Sequence, residues 1–100
     1  MTTMAISRRT NYIFYLVTQE GVYEFDAIWA RGAFIEKERR EKGFCRGACY
    51  YRDKWTGELV FQNCTFGDVR EYESPEAYRK AFREYFKDIM PRFEKEACFW

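Results

Sequence analysis

The feature that most constrains this chain is a stripe of large apolar side chains near its C-terminus. In residues 74–93, Tyr78, Phe82, Tyr85, Ile89 and Phe93 recur at steps of four and three, the spacing of one helix face. Arg79, Lys80, Arg83, Glu84, Lys87 and Asp88 take the other side. Ser74 suits the capping position, Pro75 the first helical position and Glu76 the positive end of the helix dipole. A helix with so aromatic a face cannot leave it in water, so the rest of the chain must supply a surface to cover it. Pro91 is expected to disturb the helix after Met90. The closing Cys98-Phe99-Trp100 is expected to fold back onto the body.

The covering surface reads as two hairpins. Residues 11–18 are short and rich in aromatic and β-branched side chains, which favours a strand. Gln19-Glu20-Gly21 is a three-residue loop ending in glycine, and residues 22–25 return. That register opposes Val17 to Tyr23 and Tyr15 to Phe25. It puts Ile13, Tyr15, Val17, Tyr23 and Phe25 on one face, with Phe14 and Leu16 on the other. Residues 48–54 and 58–63 form the second hairpin, around Trp55-Thr56-Gly57. Lys54 then faces Glu58 and Tyr51 faces Phe61. Cys49, Tyr51, Leu59 and Phe61 point inward, and Tyr50, Arg52, Val60 and Gln62 outward. Residues 68–72 are expected to add a short strand.

Between the hairpins, residues 27–42 read as a helix capped by Asp26 and stopped by Gly43. Ile28, Trp29, Phe34 and Ile35 make its first half apolar. Its second half is charged throughout, with Glu36–Arg40, Lys37–Glu41 and Glu38–Lys42 as helical neighbours of opposite sign. Gly32 is expected to mark a close contact with the sheet. The order is ββαββ(β)α and the class α+β: an antiparallel sheet of two hairpins, four to five strands, with two helices packed on one face. Residues 1–100 are expected to form a single domain, with 1–9 as a flexible N-terminal tail.

Composition enters where function is concerned. The chain contains no histidine, which removes the commonest general base and every Ser-His or Cys-His pair. Its six glycines are scattered, so no phosphate-binding loop is spelled out. The sequence therefore reads as a non-enzyme without a cofactor. Cys45 and Cys49 form one loose C-x-x-x-C pair, with Cys64 and Cys98 apart from it. A four-thiolate zinc site on Cys45, Cys49, Cys64 and Cys98 is the weaker reading beside small buried thiols. No apolar run of membrane length and no secretory signal is present, which points to the cytoplasm and to no membrane partner.

The aromatic content then decides between partner classes. With 10 Phe, 8 Tyr and 3 Trp in 100 residues, more rings are present than a small core can hide. A net charge of +1 argues against a purely electrostatic nucleic-acid binder. The favoured partner is a protein, alone or within a nucleoprotein complex. Tyr50, Arg52, Trp55, Arg39, Arg40, Lys42 and Arg46 are the expected contact residues, of types enriched at interface hot spots. Such a chain suits a stand-alone binding protein, monomer or homodimer. Small inhibitors that phages and mobile elements direct at host defence systems, such as anti-CRISPR proteins, have this character. The alternative is a nucleic-acid-binding sheet on which bases stack against Tyr12, Phe14, Tyr50, Arg52 and Trp55.

Overall fold

A computed structural model describes residues 11–97. It contains strands β1 (Tyr12–Thr18), β2 (Gly21–Phe25), β3 (Gly47–Asp53) and β4 (Leu59–Thr65), and helices α1 (Ile28–Lys42) and α2 (Pro75–Ala97). The strands make one antiparallel sheet in the order β2-β1-β3-β4. The α+β class and the ββαββα order are as the sequence implies. Residues 68–72 add no strand, because a 3-10 turn occupies Val69–Glu71. No helix among the described residues is long and apolar enough to cross a membrane.

The two helices do not share a face of the sheet. Along β1, Tyr15 and Val17 join Ala48 and Tyr50 of β3 in a core closed by Phe86, Ile89 and Phe93 of α2. Leu16 and Cys49 point the other way, into a second cluster with Phe34 and Ile35 of α1. Successive strand residues alternate between faces, so α1 and α2 cover opposite sides. The physical reason lies in the two central strands. Both are apolar on both faces, as strands are when a sheet is covered twice.

Both hairpins close one residue away from the register the loops suggest. The first pairs Thr18 with Gly21, Val17 with Val22 and Leu16 with Tyr23. Its turn is only Gln19-Glu20, because the Thr18 hydroxyl accepts the N–H groups of Glu20 at 3.1 Å and Gly21 at 3.2 Å. A slip of one residue moves every side chain to the other face. Tyr23 and Phe25 therefore join Leu16, and their rings meet Phe34 at 4.8 and 5.6 Å. The second hairpin pairs Tyr50 with Phe61 and Arg52 with Leu59. Tyr50 and Arg52 are buried, with 1% and 8% of their surface exposed, not outward as the loop spacing implies.

The helix ends follow local chemistry. In α1, Ala27 holds the capping position without a side-chain bond, so Asp26 is not the cap; Gly43 ends the helix in the left-handed region at φ 86°. In α2, the Ser74 hydroxyl accepts the Ala77 N–H at 3.1 Å, the capping bond the sequence predicts. The helix runs through Pro91 to Ala97 instead of stopping. Pro91 is exposed, and the carbonyl it leaves without a helical donor belongs to exposed Lys87, where water can serve. The expected tail at 1–9 and the fold-back of Cys98-Phe99-Trp100 lie outside the described residues.

Gly32 is exposed, and a side chain there would meet open space. The close approach falls at Gly47 instead. A Cβ on Gly47 would lie 2.7 Å from a Leu16 methyl and 2.9 Å from the Val17 carbonyl oxygen. Because that oxygen is backbone, Gly47→Ala is expected to cost about 1–3 kcal/mol through strain. Urea unfolding of this variant against Gly32→Ala checks it: the first midpoint should fall, and the second should hold or rise.

Candidate binding surface

At one end of the sheet large apolar side chains remain in water. Tyr12 is 39% exposed, Ile28 52%, Trp29 71% and Trp55 83%. Tyr12 pairs with Asp53 at the foot of the β3–β4 turn, and Lys54 donates its backbone N–H to the Asn11 carbonyl. The chain leaves β2 at Phe25, opposite Phe14, and α1 begins at Ile28. All four residues thus lie toward the Phe14–Tyr12 end of the sheet, while Val22, Phe44, Phe61 and Val69 are exposed at other places. Between them Tyr12, Phe14 and Tyr51 hold one another by ring contacts of 5.4 and 6.4 Å.

The Trp55 turn is built to hold its shape. Asp53 Oδ1 accepts the backbone N–H groups of Trp55 at 2.8 Å and Thr56 at 3.3 Å. Gly57, at φ 77°, donates its N–H to the Asp53 carbonyl at 2.7 Å. Trp55 Nε1 donates to Asn11 Oδ1 at 3.1 Å. The one polar atom of the indole is thereby satisfied, and its rings face solvent on a fixed loop. An aromatic side chain ordered before binding loses little entropy on docking.

Trp29 reaches the surface because of Arg31. Arg31 is 5% exposed and lies over the sheet. One of its amino groups, Nη1, donates to the Tyr15 carbonyl at 3.2 Å and the Tyr50 carbonyl at 2.9 Å; Nη2 donates to Gln62 Oε1 at 2.7 Å. Its guanidinium also sits 5.5 Å from the centre of the Phe14 ring. A residue two positions earlier on a helix is rotated by about 200°, so Trp29 points away from the sheet.

The seven residues predicted for partner contact fall into three places. Trp55 lies at the exposed end. Tyr50 and Arg52 are inside: Tyr50 donates its hydroxyl to Glu94 at 2.7 Å, and Arg52 Nε donates to the Tyr15 hydroxyl at 3.3 Å. Arg39, Arg40, Lys42 and Arg46 lie at the far end of α1 and in the link to β3. Three of them are engaged within the fold. Arg39 bonds Thr65 Oγ1 at 3.1 Å and Glu36, and Lys42 pairs with Glu38 at 2.8 Å. Arg46 is sandwiched between the Phe44 and Phe66 rings at 4.7 and 4.8 Å and donates to the Tyr72 hydroxyl. Arg40 is exposed. Trp29 and Ile28 were missed as surface residues; their spacing with Phe34 and Ile35 imitates a core face.

The thiols do not converge. Cys45 and Cys49 belong to the α1 cluster, whereas Cys64 packs on the α2 core. Among the described residues no three metal-binding side chains come together, and Cys98 lies outside them. Burial pushes all three thiols up, Cys64 to about 11, and also raises the phenols of Tyr15, Tyr50 and Tyr85. These groups hold their protons in the folded state to a higher pH than in the unfolded chain. Their contribution is fully present below the ordinary thiol value and is lost as pH rises through the folded ones. The urea midpoint should therefore fall steadily between pH 8 and pH 11, a range set by the thiols, and change least around neutrality.

No protein-family model, curated protein or solved structure matches this chain.

Proposed function

We propose that this protein is a small non-enzymatic binding module that docks on a protein partner through its Tyr12–Trp29–Trp55 end. The observation that supports it is that four of the eight exposed large apolar side chains among the described residues, including the two most exposed, Trp29 and Trp55, lie toward one end of the sheet. Single exposed apolar residues are ordinary, but a cluster marks an interaction site. Tryptophan and tyrosine are the residue types that supply interface anchors. The cytoplasm is the compartment we assign, since buried free thiols suit a reducing environment. Within this reading we place the chain with small inhibitors of host defence systems of the anti-CRISPR kind, a role supported by its surface aromatics alone.

The nucleic-acid alternative loses two of its stacking residues, because Tyr50 and Arg52 are buried. A paired experiment separates the two readings. Affinity capture from a lysate of the native host should retain a specific protein, and naked DNA or RNA should show no mobility shift at physiological salt. Tight nucleic-acid binding with no protein retained overturns the proposal.

A further inference from the structure

The aromatic stripe of α2 stops one turn short of the sheet beneath it. On the α2 side, Tyr15, Tyr50 and Phe61 form one cross-strand row, and Ile13, Arg52 and Leu59 form the next. Phe93 covers the first row, with its ring 5.3 Å from that of Tyr15 and 5.0 Å from that of Tyr50. The second row lies two residues further along the strands, about 6.6 Å. One more helical turn advances about 6 Å and brings Ala97, the last residue of the helix. A methyl group stands where the stripe calls for a ring. Beside it a cavity of about 350 Å³ opens between Tyr50, Gly57, Leu59, Phe61, Glu94 and Ala97. The apolar part of its wall is incompletely covered: Phe61 is 43% exposed and Leu59 half-buried.

We infer that the chain's own Phe99 and Trp100 occupy this cavity and seal the space between α2 and β4. Ala97 is part of the cavity wall, and the two rings follow it at the second and third positions. Three residues span at most about 10 Å, so both rings are tethered at the cavity. A cavity of about 150 Å³ takes a benzene ring, and the space here admits both. So short a tether gives the rings a high effective concentration at the wall, against which a free segment of another molecule competes poorly. Residues 1–10 are the rival occupant within the chain. They include no aromatic residue, and Arg8 and Arg9 stand next to their junction with Asn11. Asn11 leads into β1, which β3 separates from β4, so that segment starts about 10 Å further away. Neither Trp29 nor Trp55 lines the cavity, so sealing it is separate from docking at the Tyr12–Trp29–Trp55 end.

NMR on the full chain tests this. Nuclear Overhauser contacts from the Phe99 and Trp100 rings to the Leu59 methyl groups and the Phe61 ring are expected. In a sample mixing labelled and unlabelled protein they should arise within one chain. Stability supplies a second readout. Phe99→Ala with Trp100→Ala should lower the Tm by about 10 °C, the scale of removing partly buried rings from a domain of this size. Leu59→Ala should cost clearly less in that background than in the unchanged chain, since a shared contact is lost only once; equal costs contradict the inference. The contacts in the unchanged protein decide the matter even if a variant fails to fold. Contacts found only between chains mean that a second copy fills the cavity. Contacts to Leu59 and Phe61 from residues 1–10 mean that the N-terminal segment does. If neither ring touches Leu59 or Phe61, the cavity belongs to a separate partner. Each of these three results overturns the inference.

Discussion

Changing Trp29 and Trp55 to alanine together is expected to remove essentially all measurable binding to the protein partner while leaving the fold intact. Central aromatic anchors cost about 2–4 kcal/mol each when truncated. One change alone should therefore weaken binding by roughly thirty-fold or more, and the pair by more than a thousand-fold. Stability should hardly move. Trp55 is 83% exposed and Trp29 71%, so neither contributes much burial, and the one bond lost is that from Trp55 Nε1 to Asn11. Equilibrium binding of the captured partner, read beside a urea unfolding curve for each variant, checks both halves. A variant that unfolds early is uninformative on binding, so Trp55→Phe, which keeps a ring on the turn, is included; it should retain partial affinity.

The second large effect falls on stability. Arg31→Met keeps much of the side chain's stem but removes three hydrogen bonds from a charged donor, to the carbonyls of Tyr15 and Tyr50 and to Gln62. Bonds to charged groups contribute about 1.5–3 kcal/mol each, and partners left unsatisfied add a desolvation cost. Burial works in the other direction, since it lowers the Arg31 pKa and penalises the charge. The relief of that penalty offsets part of the loss. A net cost of about 3 kcal/mol is expected, equivalent to a drop of roughly 12–24 °C in Tm for a domain of this size. Calorimetry or thermal circular dichroism reads it directly. An unchanged Tm means that the bridge from α1 across β1, β3 and β4 does not hold these elements together.

How much of this was legible in the sequence varies with the kind of signal. The start of α2 was, because Ser74 and Pro75 act through local backbone chemistry. So was the end of α1, where Gly43 adopts a conformation that glycine favours. The aromatic stripe also gave the existence of α2, although Phe86, one of its buried residues, falls beside the four-and-three spacing. The faces of the sheet were not legible. They depend on whether a loop has two, three or four residues, and that was decided by the side chains of Thr18 and Asp53 capping their own turns. In the first hairpin the one-residue change moved Tyr23 and Phe25 to the α1 side. In the second it moved Leu59 and Phe61 to the face of Tyr50 and Arg52, as far as the bulge beside Tyr50, and Tyr50 is buried because α2 covers that face.

The candidate surface divides in the same way. Trp55 was visible as a large ring at a turn tip. Trp29 was hidden, because a lone arginine in a helix reads as surface and a tryptophan two positions away as core. Arg31 reverses that assignment by finding acceptors on the sheet, and this depends on contacts between residues far apart in sequence. The cysteines carried no such information. Their spacing is compatible with convergence, and only the strand faces separate Cys49 from Cys64.

Hydrogen exchange on the complex with its partner tests the docking end most directly. The account predicts slowed exchange at the Trp55 turn, residues 54–57, and at the first turn of α1, with the outer face of α2 unchanged on binding. Protection confined to α2, or to residues 39–46 at the far end of α1, would contradict it.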